Sequence, residues 1–121
     1  MEYSPINFEE SFSSLNEYWH PKKLAMMNDY EINIAKLEGE YIWHDHPDTD
    51  EAFIVLEGNL DVEFRDGLLS LKQGEMFVIP KGVEHKPVAK PSCKILFLDL
   101  KVAEANTVED TAKPARESSP V

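Results

Sequence analysis

The chain is poor in cysteine, glycine and cations. Cys93 is its one cysteine, so no disulfide can form within it. Twelve Lys and Arg stand against 23 Asp and Glu, a formal charge of −11. That balance excludes nucleic acid and anionic membrane surfaces as partners, because both demand a basic face. No apolar run approaches the roughly 20 residues that cross a bilayer as a helix. The opening MEYSPINFEE lacks the basic and apolar segments of a secretory leader, so a cytoplasmic location is expected. Cys93, in PSCKILFL at a strand start, reads as a small hydrophobe.

What is present fits one domain: 121 residues, 42% of them apolar. One helix is expected from Asn7 to Leu15. Asn7 is its N-cap, Glu9 and Glu10 lie in the first turn, and Phe8, Phe12 and Leu15 share a face. Beyond it the pattern is short and alternating. Strands are expected at Tyr30–Leu37, Ala52–Leu56, Leu60–Arg65, Leu68–Leu71, Met76–Pro80, His85–Ala89 and Lys94–Leu100. Turns are expected at Asn28-Asp29, Gly58-Asn59, Asp66-Gly67, Gln73-Gly74 and Lys81-Gly82, with Asp66-Gly67 the strongest hairpin signal. Pro87 breaks its strand at the centre. Ala52–Leu56 is apolar on both faces, as if covered by the barrel interior and by a second sheet. An all-β barrel or sandwich follows. The division expected is an N-terminal arm with its helix at 1–29, a barrel at 30–101 and a flexible tail at 102–121.

Two stretches carry chemistry: GEYIWHDHPDTDEAFIVLEG from Gly39 and GEMFVIPKGVEH from Gly74. Side chains two apart on a strand share a face, so His44 and His46 lie side by side. Pro47-Asp48-Thr49-Asp50 turns the chain, and Glu51 opens the next strand close to the pair. His85 arrives from elsewhere, after a strand and turn of its own. Burying three imidazoles and a carboxylate is costly without compensation, and a metal ion compensates. The expectation is that His44, His46, Glu51 and His85 close around one ion.

These stretches resemble the two motifs of the cupin superfamily. Gly39, His44, His46, Glu51 and Gly58 match the first, with four residues instead of five between Gly39 and His44. Gly74, Pro80, Gly82 and His85 match the second, with Ala89 where an Asn is usual. The resemblance spans about residues 30–100. It implies a double-stranded β-helix, the cupin jelly-roll barrel, often dimeric, with His44, His46, Glu51 and His85 as metal ligands. More narrowly, the chain is similar to small single-domain cupins of the mannose-6-phosphate isomerase-like type. Lys81, Lys86 and Lys90 cluster near His85 and are the groups that a phosphate would need; solvated surface lysines are the plainer reading.

Four protein ligands on an octahedral ion leave two positions for exchange, the mark of a working site. N and O donors suit one divalent ion among Fe, Mn, Zn, Ni and Cu. Two functions stay open: oxygenase or isomerase chemistry on a small molecule, or a non-enzymatic module that holds a small ligand through the metal. A third, a structural domain whose site stays empty, predicts indifference to chelators. Glu84 and Tyr30 are candidate bases, although both also read as structural. A homodimer is expected, with no nucleic-acid or membrane partner.

Overall fold

Two long strands carry the architecture. In the computed structural model, which describes residues 1–100, 106–107 and Val121, β4 (Glu51–Phe64) and β7 (His85–Leu100) lie antiparallel along most of their length. β2 (Tyr30–Glu40) flanks β7 on its other side. β1 (Lys22–Met27) closes onto β2, and β5 (Gly67–Lys72) and β6 (Met76–Ile79) both pair with β4. The short β3 (His44–Asp45) joins β7 through the single pair His44–His85, and β8 (Asn106–Thr107) pairs with β3. Every pairing among the described residues is antiparallel, and the barrel is a double-stranded β-helix.

β4 shows how one strand serves both ends of the barrel. Glu51, Phe53 and Val55 are buried, then Leu60 and Val62: inward positions change from odd to even. The register slips twice, first between Val55 and Glu57, where β4 gains a residue on β7 and the parity changes, and again between Gly58 and Leu60; Gly58 sits at φ +86°. An extra residue on one strand shifts the parity of everything after it. Gly58-Asn59 was expected to be a turn; it is a bulge inside a continuous strand, because one left-handed residue bends the chain without reversing it. A Cβ on Gly58 would lie 2.5 Å from the Ser92 carbonyl, so only glycine permits this approach. The strands expected at His85–Ala89 and Lys94–Leu100 are likewise one, β7, which Pro87 does not break; the Pro87 carbonyl accepts from the Tyr41 amide at 3.0 Å.

Other expectations fare unevenly. Asn28-Asp29 is a turn, with Asn28 at φ +55°, and Lys22–Met27 before it is a strand. The β4–β5 hairpin exists, but Arg65 and Asp66 fill its loop and neither takes a positive φ, so it is not the type I′ turn that Asp66-Gly67 signals. The helix α1 is shorter than expected, Phe8–Ser13, capped by Asn7 whose Oδ1 accepts from the Glu10 amide at 2.9 Å. Phe12 is buried and Phe8 is not.

The interior holds Leu37, Phe53, Val55, Leu60, Val62, Ile95 and Phe97. A second cluster lies on the outer face, where Phe12 and Leu15 pack on Ile34 and Leu96 with Ile54, Leu56 and Leu98 around them. The outer cover of Ala52–Leu56 is therefore in part this helix and not a second sheet. Of the segment expected to be a tail, Asn106–Thr107 form β8 and Val121 is buried within the interior cluster; the rest lies outside the described residues.

Candidate metal centre

The register fixes two of the four residues. His44 on β3 and His85 on β7 are cross-strand partners, and their rings lie 4.3 Å apart, centroid to centroid. Glu51 heads β4 opposite Ile79. His46 sits in the turn between β3 and β4, and two bonds tie that turn to the one before His85. The Gly82 amide donates to the His46 carbonyl at 2.9 Å, and the Lys81 amide donates to Asp50 Oδ1 at 2.8 Å. Gly82 is at φ +79°, the left-handed conformation that a tight turn demands.

All four expected residues come together. One donor atom from each lies within 4.8 Å of every other, and all four side chains are buried. His44 Nδ1 and His85 Nδ1 each lie 2.9 Å from a carbonyl two residues back, of Ile42 and Val83. A carbonyl only accepts, so each Nδ1 carries the hydrogen and a neutral ring leaves its Nε2 lone pair free. Those Nε2 atoms are buried without a hydrogen bond. Glu51 Oε1 lies 3.2 Å from His46 Nε2 and 3.7 Å from His85 Nε2, yet no N–H group donates to it in good geometry. A buried polar atom left unpaired costs about 1–3 kcal/mol. Several such atoms aimed at one point fit a divalent cation better than any other single occupant. The donor set, three imidazoles and one carboxylate, is one that suits a transition ion.

The charges agree. Burial, with His85 beside it, lowers the His44 pKa to about 4, so this ring is neutral at pH 7. Burial alone would raise Glu51; the closeness of His46 and His85 outweighs it and brings Glu51 down to about 2. His46 moves the other way. Burial opposes its charge most strongly, but Glu51 prevails and raises its pKa. The site is thus an anion held beside imidazoles, of which His46 holds a proton more firmly than a free ring does.

The surroundings are aromatic. Tyr41 meets the His44 ring edge-on and stacks on Trp19 at 4.5 Å. Trp19 takes φ +66°, held by bonds to the Lys36 and Glu38 carbonyls. Phe53 and Phe97 wall the other side. Lysines do not line this space. Lys86 pairs with Glu40 and Glu63, and Lys90 with Asp61, while Lys81 is exposed. Neither candidate base is at the centre: Glu84 pairs with Arg65 at 3.2 Å, and Tyr30 is exposed. Sequence reasoning passed over Tyr41, Trp19 and Asp99. Asp99 had a legible signal, because it stands two residues after inward-facing Phe97 in an apolar strand.

Known proteins share this arrangement of strands. A cupin-2 domain containing protein from Shewanella frigidimarina is 55% identical, covers 78% of this chain and 93% of its own, and superposes with a TM-score of 0.77. Protein NMB1881 from Neisseria meningitidis is 32% identical over 80% of this chain and 99% of its own, at 0.74. The uncharacterized protein YdbB of Bacillus subtilis is 39% identical over 88 residues, 72% of this chain and 78% of that one. The cupin domain family matches residues 31–99, which take in β2 to β7 and all four clustered residues, and the chain belongs to that family.

Proposed function

We propose that this cupin binds one divalent transition metal through His44, His46, Glu51 and His85 and uses it on a small, largely apolar or aromatic molecule. The observation that carries the reading is the set of buried, unpaired donor atoms within 4.8 Å of one another. A bound ion would supply Lewis-acid or redox chemistry to a ligand oxygen, of the kind that oxygenases and isomerases employ. The chain's own part is to hold the donors, to keep His44 neutral, and to exclude water with Tyr41, Phe53 and Phe97. Because Lys86 and Lys90 are occupied in ion pairs, a phosphate ester is a poor fit. We therefore take the likeness to the mannose-6-phosphate isomerase-like type as one of barrel and ligand set, not of substrate.

A second reading has support of its own. Neither Glu84 nor Tyr30 reaches the centre, so acid–base groups are scarce there, as a ligand-holding or sensing module would have them. Elemental analysis of protein purified without added metal, then a screen of phenols, enols and diketones with and without dioxygen, tests both. Product that depends on one metal supports the enzyme. Saturable binding without product supports the module. Protein that takes up no metal at all refutes both.

The reading includes a cytoplasmic homodimer. The lone thiol is buried, in keeping with a reducing compartment. Outside α1, the sheet shows solvent a row of uncharged side chains: Ile54, Leu98, Met76 at 56% exposure and Val78 at 46%. In a chain of net charge −11, an acid-free apolar face is where a second copy can approach without repulsion. Light scattering on Val78→Glu tests this; a wild type that is monomeric at tens of micromolar refutes it.

A further inference from the structure

His44 and His85 are oriented in the same way. Each Nδ1 donates to the carbonyl two residues back, of Ile42 and of Val83, at 2.9 Å. The aim of each Nε2 therefore depends on a segment of three residues, Ile42-Trp43-His44 and Val83-Glu84-His85. The first two residues of both segments are irregular backbone outside the strands. β3 itself is two residues long, with one pair to β7 on one side and β8 on the other. The ladder does little there to hold His44 in place.

One side chain grips the middle residue of both segments. Arg65 lays its guanidinium over the Trp43 ring, with Cζ 3.8 Å from the centroid, and its Nε donates to Glu84 Oε1 at 3.2 Å. The register brings it there. Phe64 of β4 pairs with His85, so Arg65, the next residue, stands beside Glu84. The grip lies on the outside: the Arg65 side chain is 43% exposed and Glu84 34%, whereas His44 and His85 are fully buried. An exposed ion pair alone adds little to stability. A flat guanidinium, however, can serve an aromatic face and a carboxylate at once, in a fixed geometry that an ammonium does not impose.

We propose that Arg65 is a positioning residue for the metal centre: by holding Trp43 and Glu84 it fixes the two carbonyls that orient the His44 and His85 rings. This rests on the metal reading above. Without the grip both segments gain freedom, each ring follows its own carbonyl, and the two Nε2 lone pairs converge less well on the ion. Partners that orient metal-binding histidines change affinity by about 10- to 100-fold when removed. Arg65 acts one residue further out, so the low end applies.

The test is zinc affinity of the full chain, by competition with a chromogenic chelator, for wild type, Arg65→Met, Trp43→Leu and the double variant. Arg65→Met should bind zinc about 10-fold more weakly. The double variant should fall within about twofold of the weaker single one, because both changes break the same contact. The visible bands of bound cobalt(II), which report ligand geometry, should shift in Arg65→Met. Without metal, that variant should unfold in urea close to wild type, since the contacts it loses are exposed. Should it fail to fold, Trp43→Leu alone is read in the same assay with the same expected loss. Wild-type zinc affinity in Arg65→Met overturns the proposal. So do single losses that multiply in the double variant, and cobalt bands that stay where they are. A wild type that takes up neither zinc nor cobalt overturns the metal reading itself, and the role of Arg65 with it.

Discussion

Gly82 donates its amide to the carbonyl of His46 across 2.9 Å, and so the turn before His85 is fastened to the loop that carries His46 and leads into Glu51. With the Lys81–Asp50 bond beside it, this clasp sets the centre from backbone and turn chemistry before any ion arrives. Preformed donors lose little freedom on binding, which favours affinity.

His44→Ala and His85→Ala should each cut metal stoichiometry toward zero and weaken affinity by more than about 100-fold, a larger loss than removing a supporting partner. The barrel should persist, since each variant also removes an unpaired buried nitrogen. Elemental analysis checks the first point and circular dichroism the second. Unchanged metal content would rule out these ligands.

Acid should drive the metal off, and His46 should yield first. Glu51 raises its pKa, whereas His44 stays neutral down to about pH 4. A raised value means that a proton must leave His46 before an ion binds, so affinity rises with pH until that ring is neutral. Calorimetry in buffers of different ionisation enthalpy should show net proton release on binding, larger as the pH falls. Occupancy that is flat down to pH 4 would count against the assignment.

Gly58→Ala should destabilise by about 2 kcal/mol or more, since it adds left-handed strain to a backbone collision. Gly74→Ala is the control. Gly74 has φ +85°, but open space lies where its Cβ would go. Strain alone should cost it about 1–2 kcal/mol. Urea unfolding of the two variants gives the difference.

Cys93 should resist alkylation at pH 8 in the folded protein. Burial raises its thiol pKa to about 12, so almost no thiolate forms. Denaturant should restore rapid labelling. Fast labelling of the native state would show that β7 opens around Cys93.

The four donors were legible because strand alternation and turn residues place them almost without reference to the rest of the chain. His-x-His needs only one extended stretch, and Lys81-Gly82 needs only a turn. Gly58 was misread because a glycine before asparagine looks alike in a turn and in a bulge; whether the chain reverses depends on partners far along it, here Ser92 and Cys93. Pro87 was misread for a related reason. The missing amide matters only where a neighbour would accept from it, and its carbonyl still serves Tyr41. Trp19 could not be placed at all, since its stacking on Tyr41 rests on two long-range bonds.

The slip in β4 makes that strand a counting device. Deleting one residue between Val55 and Leu60 would leave the sequence nearly unaltered while rotating one half of the strand by half a turn. Either Glu51 and Phe53 or Leu60 and Val62 would then face water. Length there is as much a part of the site as the histidines, whereas the loop at Arg65-Asp66 has room to grow.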